Sequence, residues 1–256
     1  MGGLNAAWRA FADELARWRD GGRVAEFWWR DDDAARPDPA LSRLLALSQR
    51  TCIPLALAVV PMQAEEAAFE NIGTSVSILQ HGTDHRNRAG AGEKKTEFPA
   101  AESKRDAAAR LAAARERLAA WAGAAFVPVL APPWNRLPDA LAPELAAAGF
   151  RGLSRYGPRA AAQAAPGVRQ VNTHVDLIAW QAGRGFAGEE AVLGAAIRHL
   201  AAKRDGRADA GEATGWLSHH AVHDEAAWAF LERLFETARA GPGVRWCGAQ
   251  ALFHAP

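Results

Sequence analysis

The chain has 256 residues, 49% of them hydrophobic, with 30 basic and 29 acidic side chains and a formal charge of +1. That length suits one domain with a sizeable core, and the near balance of charge excludes an overall field that would draw the protein onto nucleic acid or an anionic membrane. Cys52 and Cys247, the only cysteines, are too few for a disulfide framework and lack the CxxC spacing of a thiolate zinc site.

From Met1 to Gly22 the sequence reads as an amphipathic helix over about 4–20, with Trp8, Phe11, Leu15 and Trp18 at helical spacing and Arg9, Asp13, Glu14 and Arg17 between them. These charges do not fit a signal peptide. No run of about 18 uncharged apolar residues occurs, which predicts a cytoplasmic protein without membrane insertion.

Short apolar runs then alternate with helical patterns. Val24 to Arg30 reads as a strand and Pro39 to Gln49 as a helix; Pro54 to Val60 and Ser75 to Gln80 are further strands, followed by an Ala-rich helix from Glu102 to about Trp121. A strand over Phe126 to Leu130, a helix over Pro138 to Ala148, and short strands around Phe150 to Ser154 and Val168 to Val175 come next. Helix Gly188 to Lys203, strand Thr214 to Ser218, helix Asp224 to Ala240 and a strand near Val244 complete the pattern. Alternation of this kind predicts an α/β fold with a parallel sheet, and seven or eight repeats favour one (β/α) barrel over 1–256 rather than an open doubly wound sheet. The open sheet's GxGxxG fingerprint is absent; Gly183 and Gly185 form a lone GxG. The loop Arg86 to Ala101 reads as a mobile flap beside the site or as a plain surface insertion.

Polar clusters follow four of these strands: Asp31-Asp32-Asp33, His81 to His85, Pro132 to Arg136, and His219-His220. In a barrel of parallel strands all four meet on the rim that carries active sites. His81 and His85, four residues apart, could share a face of a helical turn and bind one divalent ion through neutral nitrogens. A carboxylate of the aspartate run would complete the set, and such a site is hydrolytic in design: the ion acidifies water and polarises a carbonyl while a second carboxylate takes the proton. Alternate residues of a strand face opposite ways, so one of His219 and His220 should point into the site. Trp134 and Trp180, beside these clusters, suit a substrate wall; Trp8, Trp18, Trp121 and Trp228 lie on helical faces and suit packing. Arg151 to Arg155 follows a short strand onto the same rim, where a phosphate-bearing substrate would give the arginines bidentate contacts. His199 and His254 show no partner in the sequence.

Arg30-Asp31-Asp32-Asp33-Ala34, His81-Gly82-Thr83-Asp84-His85, Ala131-Pro132-Pro133-Trp134, Val175 to Trp180 and Leu217-Ser218-His219 resemble the five ordered motifs of the polysaccharide deacetylase family (NodB-homology, carbohydrate esterase 4). The resemblance covers about 24–225 and is nearest to the cytoplasmic WbmS-like branch. It implies a deformed (β/α) barrel of about seven strands and one divalent ion, Zn2+ before Co2+, Ni2+ or Mn2+. It further implies an activity that removes an N-acetyl group from an amino sugar in surface-polysaccharide or glycoconjugate biosynthesis, with an N-acetylated sugar or glycan precursor as the bound partner. By position it makes Asp32 the general base, Asp33, His81 and His85 the metal ligands, His219 the general acid and Asp176 the carboxylate that holds that acid charged. Pairing Asp31 with Asp32 is the alternative register, and His220 is the alternative acid or a substrate contact. Pro133, Trp134, Asn135 and Trp180 fall at the substrate. The third motif lacks its usual arginine, with Ala131 in that place, so Arg30 or Arg136 would have to supply the cation beside the base. The fourth motif carries Ala179 where the family has a second acid. These departures leave a non-catalytic carbohydrate-binding barrel, or a metal-dependent esterase or phosphoesterase, as competing readings.

Overall fold

In the computed structural model, which describes residues 6–240 and 243–253, helix α1 (Ala6–Asp20) leads into strand β1 (Ala25–Ala34). Helix α2 (Pro39–Thr51) and strands β2 (Leu55–Val59) and β3 (Val76–His81) follow, then α3 (Lys104–Ala122), β4 (Phe126–Ala131), α4 (Glu144–Ala147) and β5 (Gly152–Leu153). Next come β6 (Gln163–Ala165), β7 (Val168–Gln170), β8 (Val175–Asp176), α5 (Glu189–Arg204) and β9 (Thr214–Ser218). The last elements are α6 (Glu225–Ala240), β10 (Val244–Trp246) and α7 (Ala249–Phe253).

Strands β1 to β5 pair in parallel with their sequence neighbours, and β9 pairs in parallel with β1. Strand β7 adds to β5 and β8 adds to β9, again in parallel. Both belong to one stretch of chain, in which Thr173 N–H donates to Arg155 O at 2.9 Å and His174 N–H to Gly215 O at 2.7 Å. The segment from β7 to β8 therefore joins β5 to β9 and closes the sheet into a deformed barrel. Strand β6 lies antiparallel outside β7, and β10 pairs with the first residues of β1.

The barrel wall is apolar on both faces because helices cover the outside while side chains fill the inside. Phe27 and Trp29 of β1 point outward into a cluster with Leu55, Leu57, Ile78, Trp216 and residues of α1, α2, α5 and α6. Trp28 points inward with Ala56, Ala58, Leu79, Val127 and Val129. Helix α7 plugs this interior from below: Phe253 is 4% exposed and meets Trp28 edge to face at 6.0 Å. Burial of such a ring contributes roughly 2–3 kcal/mol.

Several features depart from the sequence reading. Strand β1 runs on through the aspartate triplet. The helix expected over Pro138 to Ala148 is a 3-10 turn (Asp139–Leu141) followed by the short α4; Pro143, which has no amide hydrogen, falls between them. The loop over 86–101 is anchored at its far end, with Glu97 and Phe98 buried, while Gly90 to Lys95 at its tip are exposed. Among the described residues no helix is long and apolar enough to cross a membrane.

Candidate active site

Strand parity sorts the aspartates. Trp28 faces the interior, so Arg30 and Asp32 share its face and Asp31 takes the outer face with Trp29. Asp31 is fully buried there; it accepts from Ser218 Oγ at 2.6 Å and from His220 N–H at 3.0 Å, and it pairs with His220 Nδ1. The register against β2 shifts between Asp31 and Ala34, and Asp33 has φ 72. This bulge, a device that re-aims side chains beside active sites, turns Asp33 to His81 at the end of β3 and His85 in the loop after it.

Asp33 Oδ1 lies 3.1 Å from His81 Nε2 and 3.1 Å from His85 Nε2. Burial opposes ionisation of Asp33, but the two imidazoles against its carboxyl outweigh burial and hold it far below the ordinary carboxylate range. His81 ends β3 and donates through Nδ1 to Ala131 O at 2.9 Å, which fixes the tautomer and leaves Nε2 as the outward lone pair. His85 does not reach the site on a helical turn. The chain doubles back through Gly82 (φ 60) and His85 itself (φ 58), both left-handed. A Cβ on Gly82 would run into the Pro133 ring at 2.6 Å, so glycine is required there by both conformation and space.

Glu97, which the sequence did not single out, staples this loop from beneath. Its fully buried carboxylate accepts from the Thr83 N–H at 2.9 Å, from the Thr83 hydroxyl and from Arg110 at 2.9 Å. The polar atoms of Asp33, His81 and His85 all lie within 4.8 Å of one another. Asp33 Oδ1 is buried without a hydrogen bond of good geometry. Two imidazoles and a carboxylate converging in this way fit one divalent ion, with coordination positions left over.

Asp32 is held by Arg30, whose Nε and Nη2 reach Oδ1 and Oδ2 at 2.9 Å each. The same guanidinium donates to Ser154 O at 3.1 Å, Ser154 Oγ at 2.6 Å and Asn135 Oδ1 at 2.6 Å. Arg30 thus supplies the cation that Ala131 cannot. Arg136 lies elsewhere: it is exposed and donates to Lys95 O at 2.7 Å. Trp134 (φ 54) and Asn135 (φ 56) form a left-handed turn that brings the Trp134 ring within 4.6 Å of the His85 ring.

On the opposite wall, Gly215, Leu217 and His219 take the inner face of β9 and its extension, and His220 the outer one. His220, expected at the substrate, is 2% exposed and bonded to Asp31. His219 Nδ1 lies 4.0 Å from Asp176 Oδ1. Asp176 accepts from Ile178 N–H and Trp180 Nε1 at 2.9 Å each, and the Trp180 ring sits edge-on to His219 at 4.7 Å. Burial raises the Asp176 pKa, and the adjacent His219 charge partly opposes that rise. Asp33 feels the charge of His219, and Asp176 that of Asp32, so Asp32, Asp33, Asp176 and His219 border one space. Tyr156, unremarked in the sequence, is 48% exposed and donates to His174 O at 3.1 Å on the same wall.

A second cluster, His174, His199 and Glu212, also gathers potential ligands. His174 Nδ1 accepts the Gly215 N–H at 3.0 Å, so the ring proton sits on Nε2, which faces Glu212 at 3.2 Å. A protonated nitrogen is no ligand, and this group is structural. The rings of His174 and His199 stack at 3.5 Å, and burial pushes both pKa values down, that of His199 to about 2. Of the Arg151 to Arg155 pair, Arg155 follows β5 onto the rim while Arg151 precedes that strand and is exposed. His254 lies outside the described residues.

No protein-family profile and no curated protein matches the sequence. Solved structures share the fold. A protein from Mycobacterium smegmatis assigned as a polysaccharide deacetylase is 16% identical over 91% of this chain and 90% of that one, with a TM-score of 0.62. The chitin deacetylase of Colletotrichum lindemuthianum is 14% identical over 91% and 89%, at 0.55. A family 4 carbohydrate esterase from Streptomyces lividans is 14% identical over 88% and 91%, at 0.52.

Proposed function

Starting from a barrel of the carbohydrate esterase family 4, NodB-like type, we propose that this protein is a metal-dependent hydrolase that removes the acetyl group from the nitrogen of an amino sugar. The observation that carries the reading is Asp33 flanked at 3.1 Å by His81 and His85, with the Arg30–Asp32 pair and the Asp176–His219 pair bordering the same cavity. Asp33, His81 and His85 would hold the ion, whose donor set suits Zn2+ first. When bound, it supplies Lewis acidity that acidifies water and polarises an acyl carbonyl.

The chain's own residues do the rest. Asp32, oriented by two contacts from Arg30, accepts the proton of the attacking water at its carboxylate. His219 gives a proton to the departing nitrogen, so that a neutral amine leaves and acetate remains. Asp176, 4.0 Å from that imidazole, positions it. The Asn135 and Arg136 amides close the turn onto the Pro132 and Pro133 carbonyls, which leaves the Trp134 amide as the donor for a developing oxyanion. Trp134 and Trp180 present ring faces for a sugar. The altered third and fourth motifs favour a non-catalytic barrel; Arg30 restores the charge of the third, while Ala179 leaves the fourth without its second acid.

Acetate release from N-acetylated sugars, measured before chelation, after it and after restoring Zn2+, tests the reading. Turnover that continues unchanged in chelator would defeat it.

A further inference from the structure

Beside the catalytic cavity lies a pocket of about 350 Å³ whose polar lining is Lys94, Thr96, Asn135, Arg136 and Arg155, on an apolar floor that includes Phe98. Asn135 belongs to both spaces: its Oδ1 accepts from Arg30, the partner of Asp32. We infer that this pocket receives the phosphate groups of a phosphorylated acetamido sugar; the inference rests on the deacetylase reading and names its substrate class.

Charge is the first argument. In a chain of formal charge +1, three cations converge on one small pocket. Among the described residues no carboxylate pairs with Lys94 or Arg136. Arg155 pairs at 2.8 Å with Asp139, whose side chain is 89% exposed. Such a solvated pair is weak and exchanges readily, whereas a guanidinium fork matches two phosphate oxygens at once. With Oδ1 taken, Asn135 offers its amide N–H, and Thr96 offers a hydroxyl.

Position is the second. In a 2-acetamido sugar esterified by phosphate at its anomeric carbon, amide and ester stand on adjacent ring carbons. A site that takes both must set its anion pocket directly against the centre that attacks the amide. The single turn carrying Trp134, next to the ligand His85, and Asn135 and Arg136, in the pocket, meets that demand. The phosphates could belong to a nucleoside diphosphate sugar or to a lipid-linked diphosphate sugar.

Acetate release by the zinc-loaded protein is measured on UDP-N-acetylglucosamine, on a short-chain prenyl diphosphate of N-acetylglucosamine and on free N-acetylglucosamine. At least one diphosphate should exceed the free sugar in kcat/KM by roughly tenfold or more, and Lys94→Ala combined with Arg136→Ala should cut that ratio to within about threefold of unity. The better of the two diphosphates identifies the source. Equal kcat/KM on all three, or a ratio that survives the double variant, overturns the proposal. Calorimetric titration with inorganic pyrophosphate separates the two readings, because it needs no turnover. Binding that weakens roughly tenfold in the double variant while no probe yields acetate keeps the pocket and removes the deacetylase reading. Acetate release with pyrophosphate binding indifferent to the double variant removes the pocket.

Discussion

Arg30 and Asp32, two residues apart on one strand, face each other inside the barrel through paired contacts of 2.9 Å. Both are buried, Arg30 completely, and the guanidinium is the hub of contacts to Ser154 and Asn135 as well. Removing one member of such a pair strands the other charge without solvent. Arg30→Ala should destabilise the fold by about 3–5 kcal/mol, read from urea midpoints. Arg30→Lys keeps the charge but loses the fork, and should recover stability only in part. A loss below about 1 kcal/mol for Arg30→Ala would contradict this account.

The proposed ligand set, Asp33, His81 and His85, predicts linkage between ion and stability. Zn2+ at about a hundred times its dissociation constant should stabilise the protein by about 2.7 kcal/mol. Asp33→Ala should abolish that gain, seen as a melting temperature indifferent to added zinc.

The contact of 4.0 Å between Asp176 and His219 bears on how the imidazole is held. Asp176→Asn keeps the shape of the side chain and removes its charge, and should lower kcat by roughly tenfold with KM little changed. An unchanged kcat would remove Asp176 from this role.

His199 and His174 make stability acid-sensitive. Burial pushes the His199 pKa to about 2, below its ordinary value of about 6.5 in the unfolded chain. The unfolded state therefore binds the proton first as pH falls. Stability is complete above about pH 6.5 and declines below it, by about 2 kcal/mol for this group at about pH 5. Replacing the ring in His199→Phe should flatten the difference between urea midpoints at about pH 7.5 and about pH 5. Equal pH sensitivity in the variant would count against the buried neutral stack.

Gly82→Ala tests the turn that delivers His85. The added methyl meets the Pro133 ring and Glu97 at a left-handed position, so a loss of about 1–3 kcal/mol is expected. Weaker zinc affinity should accompany it, because the same turn sets the His85 ring. Wild-type affinity in a folded Gly82→Ala protein would contradict that link.

Much of this architecture is legible from periodicity: the alternating runs place β1, β2, β3, β4 and β9 and the rim that gathers Asp33, His81, His85 and His219. Parity then separates Asp32 from Asp31 and His219 from His220. The aspartate register stays open in the sequence because a strand end ordinarily loses its pleat; β1 keeps it through Asp32, and the bulge at Asp33 then breaks it. Glu97, Arg110 and Tyr156 carried no signal, since their roles depend on chain segments brought together by the loop over 86–101 and by β5. Helix α7 was missed for a related reason. Its short apolar run, Ala249–Phe253, gains meaning from the open end of the barrel beneath Trp28. Arg136 appeared attractive because it adjoins the third motif, yet a residue within the strand reaches Asp32 more directly.

The closing segment has a kinetic corollary. Asp176 sits on the stretch that seals the barrel, and Asp31 bonds to Ser218 across 187 positions of chain. Contacts of such long range are assembled late and slowly in folding. A nascent chain therefore carries Asp32 and His219 on unconnected fragments until the final third has been synthesised and docked. Partly folded species should be catalytically silent, and recovery of turnover after dilution from denaturant should coincide with the slowest phase of refolding.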